Sequence, residues 1–335
     1  MTLYLNDHDV DSLLSQDDAF QCVDKAFRLL AEGSAINVPR QRTAMQKAVL
    51  NVMWALAPTE GTMGVKAYPV VRSDVTQGAV LTLLVYAFES GELLGVIKAD
   101  RLGQLRTGAA SAVATRSLAR ADSTVLAIYG TGFQAETQAM ALAKELPALQ
   151  TIHVVGRSQH RRDAFVARLR RDLGLQVLVS DPESAARLAH VICTATGSTE
   201  PVLRGDWLQP GTHINAVGSN TITKREIDRT VLERASLITV DDKAVSLAEG
   251  GDFIANGWDQ SPVVPLGDVL TLQQEGRQSP DEITLFESHG LALQDLICAT
   301  MVLGKAQHDR AKSSSLGYSL SPTKTQCPSD QARSK

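Results

Sequence analysis

One short segment constrains the fold of this chain more than any other. The apolar run Thr124–Tyr129 reads as a strand, Gly130-Thr131-Gly132-Phe133-Gln134-Ala135 follows at once, and the alanine-rich stretch to Leu146 reads as a helix. A GxGxxA alone is a weak signal, and a glycine turn of another α/β protein is the plain alternative. The strand-to-helix context supplies the mechanism. Gly130 permits the tight turn, Gly132 lets backbone approach a pyrophosphate, and Ala135 keeps helix and strand close. The helix N-terminus then presents N–H groups to the anion.

The alternation continues downstream. TIHVVGR, LQVLVS, HVICTATG, THINAVG and SLITVD are short apolar strands, and HRRDAFVARLRRDLG is a helix between the first two. Such spacing predicts a doubly wound parallel sheet over about 120–298. Upstream the texture differs. Residues 16–32 read as an amphipathic helix capped by Ser15 and stopped by Gly33. From Arg40 to Lys98 the chain reads as mostly antiparallel strands, among them the run Gly78–Phe88, with a hairpin around Glu89–Glu92. The segment 100–119, DRLGQLRTGAASAVATRSLA, suits a helix packed closely on another backbone. Residues 281–304 contain a capped apolar helix able to return to the first region, and the residues beyond 311 read as a disordered tail.

Composition excludes several function classes. The 335 residues carry 33 Lys plus Arg and 37 Asp plus Glu, a net charge of −4, which argues against a nucleic-acid footprint. Cys22, Cys193, Cys298 and Cys327 lie far apart without a CxxC, so a disulfide framework or zinc ribbon is a poor reading. Seven histidines include no HExxH, and no metal is expected. The acidic start is unlike a signal peptide, and Gly78–Phe88 is too short to span a bilayer. A soluble cytoplasmic protein without a membrane partner is expected.

The nucleotide preference is set after the second strand of the alternation. An NAD enzyme usually places an acid there for the ribose hydroxyls. This chain has Gly156-Arg157-Ser158 instead, a guanidinium and a hydroxyl suited to a 2′-phosphate. NADPH is therefore expected to be preferred, with NADH possible. Arg161 and Arg162 read as a solvated helix face.

Three cations sit in unusual settings: Arg42 in VPRQRT, Lys66 in GVKAYPV, and Arg106 in a helix of small residues. Strand alternation puts Lys66 and Tyr68 on the face opposite Val65 and Ala67. Each cation alone reads equally well as a structural ion pair. Three together, with no acidic run beside them, suggest an anionic ligand.

With these pieces in view, the chain resembles the ornithine cyclodeaminase/mu-crystallin family over residues 3–310. VPRQRT, GVKAYPV, LGQLRTGAASAVATR, GTGFQA, INAVGSN and SPDEITLFESHGLALQD carry the resemblance. It implies an α/β fold in which a Rossmann domain is inserted into a discontinuous α+β domain for substrate and dimerisation. Residues 119–298 would form the Rossmann domain, 1–118 plus 299–311 the other, and 312–335 the tail. It implies a homodimer through the N-terminal domain.

The resemblance also implies roles. Arg42, Lys66 and Arg106 would hold the carboxylate of an amino or imino acid, and Lys66 could relay a proton. Thr107 would lie near the cofactor phosphates or the substrate. Thr194-Ala195-Thr196 and Val217-Gly218-Ser219 would sit where a nicotinamide belongs. Cyclodeaminases and the related alanine dehydrogenase carry an aspartate in the loop after INA(V/I)G, and here the aligned residue is Asn220. Asparagine cannot accept a proton at neutral pH, which disfavours cyclodeamination. Asp228 reads as a helix cap rather than its replacement. The GSN version resembles the branch that reduces Δ1-pyrroline-2-carboxylate and Δ1-piperideine-2-carboxylate with NADPH. Ornithine cyclodeamination and a mu-crystallin-like NADPH-binding role with little turnover are the alternatives. His289, where the family more often has an apolar residue, is expected to line the substrate pocket and titrate near neutrality. A helix-start histidine satisfied by backbone is an equal reading.

Overall fold

The computed structural model of the chain describes residues 2–71, 80–258 and 262–315, with side chains through 312. Among the described residues the strands form two sheets. The first contains β1 (Leu3–Leu5), β2 (Ile36–Met45), β3 (Ala48–Ala57), β4 (Thr62–Val71), β5 (Thr82–Ala87) and β6 (Leu93–Lys98), ordered β1-β6-β5-β4-β3-β2. Its pairs are antiparallel except β1 with β6. The expected hairpin joins β5 and β6, where the Ala87 amide donates to the Glu92 carbonyl at 2.9 Å. Gly78 and Ala79 of the expected apolar strand lie outside the described residues.

The helix Gln16–Ala31 starts where its cap predicts. Ser15 accepts from the Asp18 amide while Asp18 reaches back to Ser15, a capping box of the kind that contributes about 1 kcal/mol. Val23, Ala26 and Phe27 face a core shared with the helices Asp100–Leu118 and Ala292–Ser315. The small residues of Asp100–Leu118 serve close packing, as expected. A Cβ on Gly108 would stand 2.8 Å from the Thr137 carbonyl of the helix Phe133–Glu145.

The second sheet contains β7 (Val125–Tyr129), β8 (Thr151–Val155), β9 (Gln176–Val179), β10 (Val191–Thr194), β11 (His213–Ala216), β12 (Leu237–Val240), β13 (Val264–Pro265) and β14 (Thr284–Glu287). It is parallel throughout, ordered β13-β12-β14-β11-β10-β7-β8-β9. The expected α/β architecture is therefore present: a Rossmann-type parallel sheet, interposed in the chain between the antiparallel sheet and the helix that returns to it. β7 sits at the switch point, flanked by β8 and β10, so the GTGFQA turn opens at the carboxyl edge.

Three details differ from the sequence reading. Residues 284–287, ahead of the expected helix, form a strand that the sequence reading does not include. β14 lies between β11 and β12 with every residue buried, so it has no alternating pattern to betray it. The returning helix spans Ala292–Ser315, beginning ahead of 299, and packs on the first sheet with Leu296 against Gly64. That helix also includes residues 312–315 of the expected tail, and 316–335 lie outside the described residues. Among the described residues no helix is long and apolar enough to cross a membrane.

Candidate active site

At the nucleotide end, Gly130 adopts φ +120°, a conformation that favours glycine, and a Cβ there would run into the Ala195 carbonyl. Gly132 precedes the helix Phe133–Glu145, and a Cβ on it would meet nothing within 4 Å. That open approach to a helix N-terminus fits a dinucleotide pyrophosphate. Ala135 is fully buried beneath the turn, whereas Phe133 is 59 % exposed. A cavity of about 840 Å³ is lined by Gly130, Thr131, Gly132, Arg157, Ser158 and Thr196, among others. Arg161, Arg162 and Arg204 line it too. Arg162 is not on a solvated face: its Nη1 donates to the Gly156 carbonyl at 3.0 Å. Ser158 caps the next helix by accepting from the Arg161 amide. Thr107, Gln134, Thr194, Val217, Gly218 and Ser219 are not among the residues lining this cavity. Thr107 is tied into its own helix, its hydroxyl donating to the Gly103 carbonyl at 2.6 Å and its carbonyl accepting from Gln138.

The cationic residues meet, but with partners. Lys66 Nζ donates to Asp295 Oδ2 at 2.7 Å, and Arg106 Nε donates to Asp295 Oδ1 at 3.1 Å. Burial alone would raise Asp295, yet Arg106 and Lys66 outweigh it and hold its carboxyl below the usual range. Burial lowers Lys66 to about 8, helped by Arg106 and Arg40 and opposed by Asp295. Gly290, at φ +83°, makes room for the Arg106 guanidinium, which a Cβ would approach to 3.0 Å.

A second pair of arginines closes one side. Arg40 Nη1 donates to Glu249 Oε2 at 2.5 Å and Arg42 Nη2 to the same oxygen at 3.2 Å. Arg42 Nη2 also reaches the Asn220 carbonyl at 2.8 Å, and Arg40 Nη2 the His289 carbonyl at 3.0 Å. The side-chain oxygen of Asn220 accepts from Lys224 Nζ at 3.3 Å. Four cations against Asp295 and Glu249 leave an excess of positive charge, which suits an anionic ligand. The carboxylates that complete this cluster were missed in the sequence. Arg40 was also missed, although its alternation with Arg42 in VPRQRT puts both on one strand face. Asp295 offered the same signal as Arg106, a charge alone in an apolar helix.

His289 departs from its expected role. Its ring is enclosed, with Nδ1 3.1 Å from Ser246 Oγ and Nε2 3.6 Å from Glu287 Oε2. Burial, with Arg40 nearby, pushes its pKa down to about 3, so it does not titrate near neutrality. Beneath the carboxyl ends of β10 and β11 lie further buried acids. Burial drives Glu287 well above the carboxylate range, Glu226 to about 7 and Asp241 to about 6. Asp228 caps the helix Arg229–Arg234, as expected.

A glycine turn at the switch point of a parallel sheet, beside a buried cluster of cations, defines a nicotinamide-dependent oxidoreductase. The chain belongs to the ornithine cyclodeaminase/mu-crystallin family, whose match spans residues 1–310. It is 32% identical over 264 residues to the Δ1-pyrroline-2-carboxylate reductase of Bacillus cereus, covering 76% of this chain and 81% of that one. The structure of Thermococcus litoralis Δ1-pyrroline-2-carboxylate reductase with NADH and L-proline superposes with a TM-score of 0.87 at 28% identity, over 92% of this chain and 98% of that one. An archaeal alanine dehydrogenase dimer with bound NAD gives 0.86 at 32% identity, over 92% and 97%.

Proposed function

We propose that the protein reduces cyclic imino acids with NADPH, converting Δ1-pyrroline-2-carboxylate to L-proline and Δ1-piperideine-2-carboxylate to L-pipecolate. The observation that carries this reading is the buried Lys66–Asp295–Arg106 cluster with Arg40 and Arg42 beside it. A bound nicotinamide supplies the hydride that a C=N carbon accepts. The guanidinium forks of Arg106 and Arg42 hold the substrate carboxylate, for which parallel N–H donors are suited. Lys66, still mostly protonated at neutral pH, carries the proton for the imine nitrogen on Nζ. Asp295 fixes Lys66 and Arg106 relative to each other. Asn220 places its carbonyl on the arginines and needs no proton of its own.

The glycine turn and the cavity with Arg157 support NADPH over NADH, with the cavity residues Ala195 and Thr196 toward the nicotinamide and Gly218 and Ser219 on the neighbouring strand end. Residues 119–298 make up most of the cofactor unit. Ile36, Met45, Leu50, Val70 and Val71, exposed apolar residues of β2, β3 and β4, supply the homodimer contact. The alanine dehydrogenase dimer supports that assembly.

The test is nucleotide oxidation with five- and six-membered cyclic imino acids, using NADPH and NADH in parallel. One NADPH consumed per ring imine, faster than NADH, is expected. Ammonia release from ornithine without net nucleotide change would assign the cyclodeaminase reaction instead.

A further inference from the structure

The carboxylate of Glu226 touches two loops at once. Its Oε1 accepts from the Thr196 amide at 2.6 Å, and its Oε2 accepts from the Gly218 amide at 2.6 Å and the Thr194 hydroxyl at 2.8 Å. Thr194 ends β10, Thr196 follows it, and Gly218 follows β11. These are the neighbouring strand ends at which the proposed function puts the nicotinamide. Glu226 is wholly buried, and its own backbone is fixed. Asp252 Oδ1 accepts from the Glu226 and Ile227 amides at 2.7 and 2.9 Å, while the Glu226 carbonyl accepts from the Val202 and Leu203 amides. Gly218 is adapted to this contact, since a Cβ there would stand 2.5 Å from the Glu226 carboxyl carbon.

We propose that Glu226 is a positioning residue that staples the 194–196 and 217–219 loops together and so sets the nicotinamide plane. The inference rests on the cofactor reading given above. It assigns Glu226 no contact with the substrate.

The staple is tightest when ionised. Oε2 already accepts two donors, so a proton adds at Oε1, where it weakens the bond from the Thr196 amide and loosens that side of the staple. Burial is the main influence raising this carboxyl to about 7, opposed by the Thr196 and Thr194 hydrogen bonds and helped by Asp252. Facing it are also Glu287, Lys224 and the buried thiol of Cys193. The sign for folding is opposite. A carboxyl raised in the folded state stabilises it at low pH relative to high pH, so acid loosens the loops without unfolding through this group.

The test reads NADPH emission in the binary complex, with no substrate present. In the wild-type protein the bound-state emission should change between about pH 8 and about pH 6 while the melting temperature does not fall. Glu226→Gln should remove that pH dependence at nearly unchanged NADPH affinity. In turnover it should lower kcat by roughly 100-fold with little change in KM for the imine, because misplacement by about 1 Å is that harmful. Emission, pH profile and kcat all matching the wild type would overturn the staple. Should Glu226→Gln fail to fold, Thr194→Val decides, since losing that hydroxyl donor raises Glu226 further and must move the emission transition to higher pH. An unmoved transition refutes the proposal. Normal emission behaviour without imine turnover would refute the proposed reaction alone, and failure to bind NADPH would refute both.

Discussion

Asp295 and Glu226 are both fully buried carboxylates, one in the cation cluster against the first sheet and one under the parallel sheet's strand ends. Burial raises the pKa of each. In the cation cluster, Lys66 and Arg106 supply full charges within 3.1 Å, and Asp295 ends below its usual value. Under the strand ends, Glu226 has neutral amides and a hydroxyl, and it ends near 7. Glu287 and Asp241 go the same way. Equal burial therefore leaves a lowered carboxyl in one region and raised ones in the other, and the full charges bonded directly to Asp295 make the difference.

The largest expected effect lies in the cation cluster. Lys66→Met should lower kcat by about 10²–10⁴-fold, the range for losing a general acid. In the wild type, kcat should fall as pH rises through about 8, where Nζ loses its proton. A variant that keeps both the rate and that alkaline limb would show that Lys66 does not carry the proton. Next, Asp295→Asn leaves two buried cations without their anion and should destabilise the fold by about 3–5 kcal/mol at neutral pH. Asp295 has a lowered folded pKa, so its contribution is present above its unfolded pKa and lost as pH falls. The deficit measured by denaturant unfolding should accordingly shrink in acid. A deficit independent of pH would break the contrast with the acids under the strand ends.

The smallest effect should come from Glu287→Gln. Burial favours the neutral acid here, and a neutral carboxyl resembles the amide, so the change in acid should be under about 1 kcal/mol. Raised folded pKa means that wild-type stability declines as pH rises through the window above the unfolded value. The glutamine variant should then gain on the wild type toward about pH 8. If it loses ground instead, Glu287 is ionised and the comparison is wrong.

What could be read from sequence follows from how far apart the partners lie. Gly130 to Ala135 is contiguous, its flanking strand and helix are regular, and its context could be read directly. Arg42, Lys66 and Arg106 stood out because cations are rare among apolar and small residues. Asp295 lies 229 positions from Lys66 and 189 from Arg106, so no local pattern linked them. The same distance hid Glu249, and the apparent lack of acids near the three cations was an effect of looking along the chain. β14 escaped because a strand buried on both faces lacks alternation. His289 stands out as a departure from the family pattern, and its residue type alone suggests neutral titration, whereas its enclosure by Ser246, Glu287 and Arg40 determines its protonation.

Recognition of a substrate carboxylate by the cation cluster is tested most directly by removing that carboxylate. NADPH oxidation should be followed with Δ1-piperideine-2-carboxylate and with the same ring lacking the acid group. Sites built around buried polar partners reject the analogue that lacks them, so kcat/KM should fall by about 10⁴-fold. Values within about tenfold of each other would contradict a carboxylate-binding role for Arg42, Lys66 and Arg106.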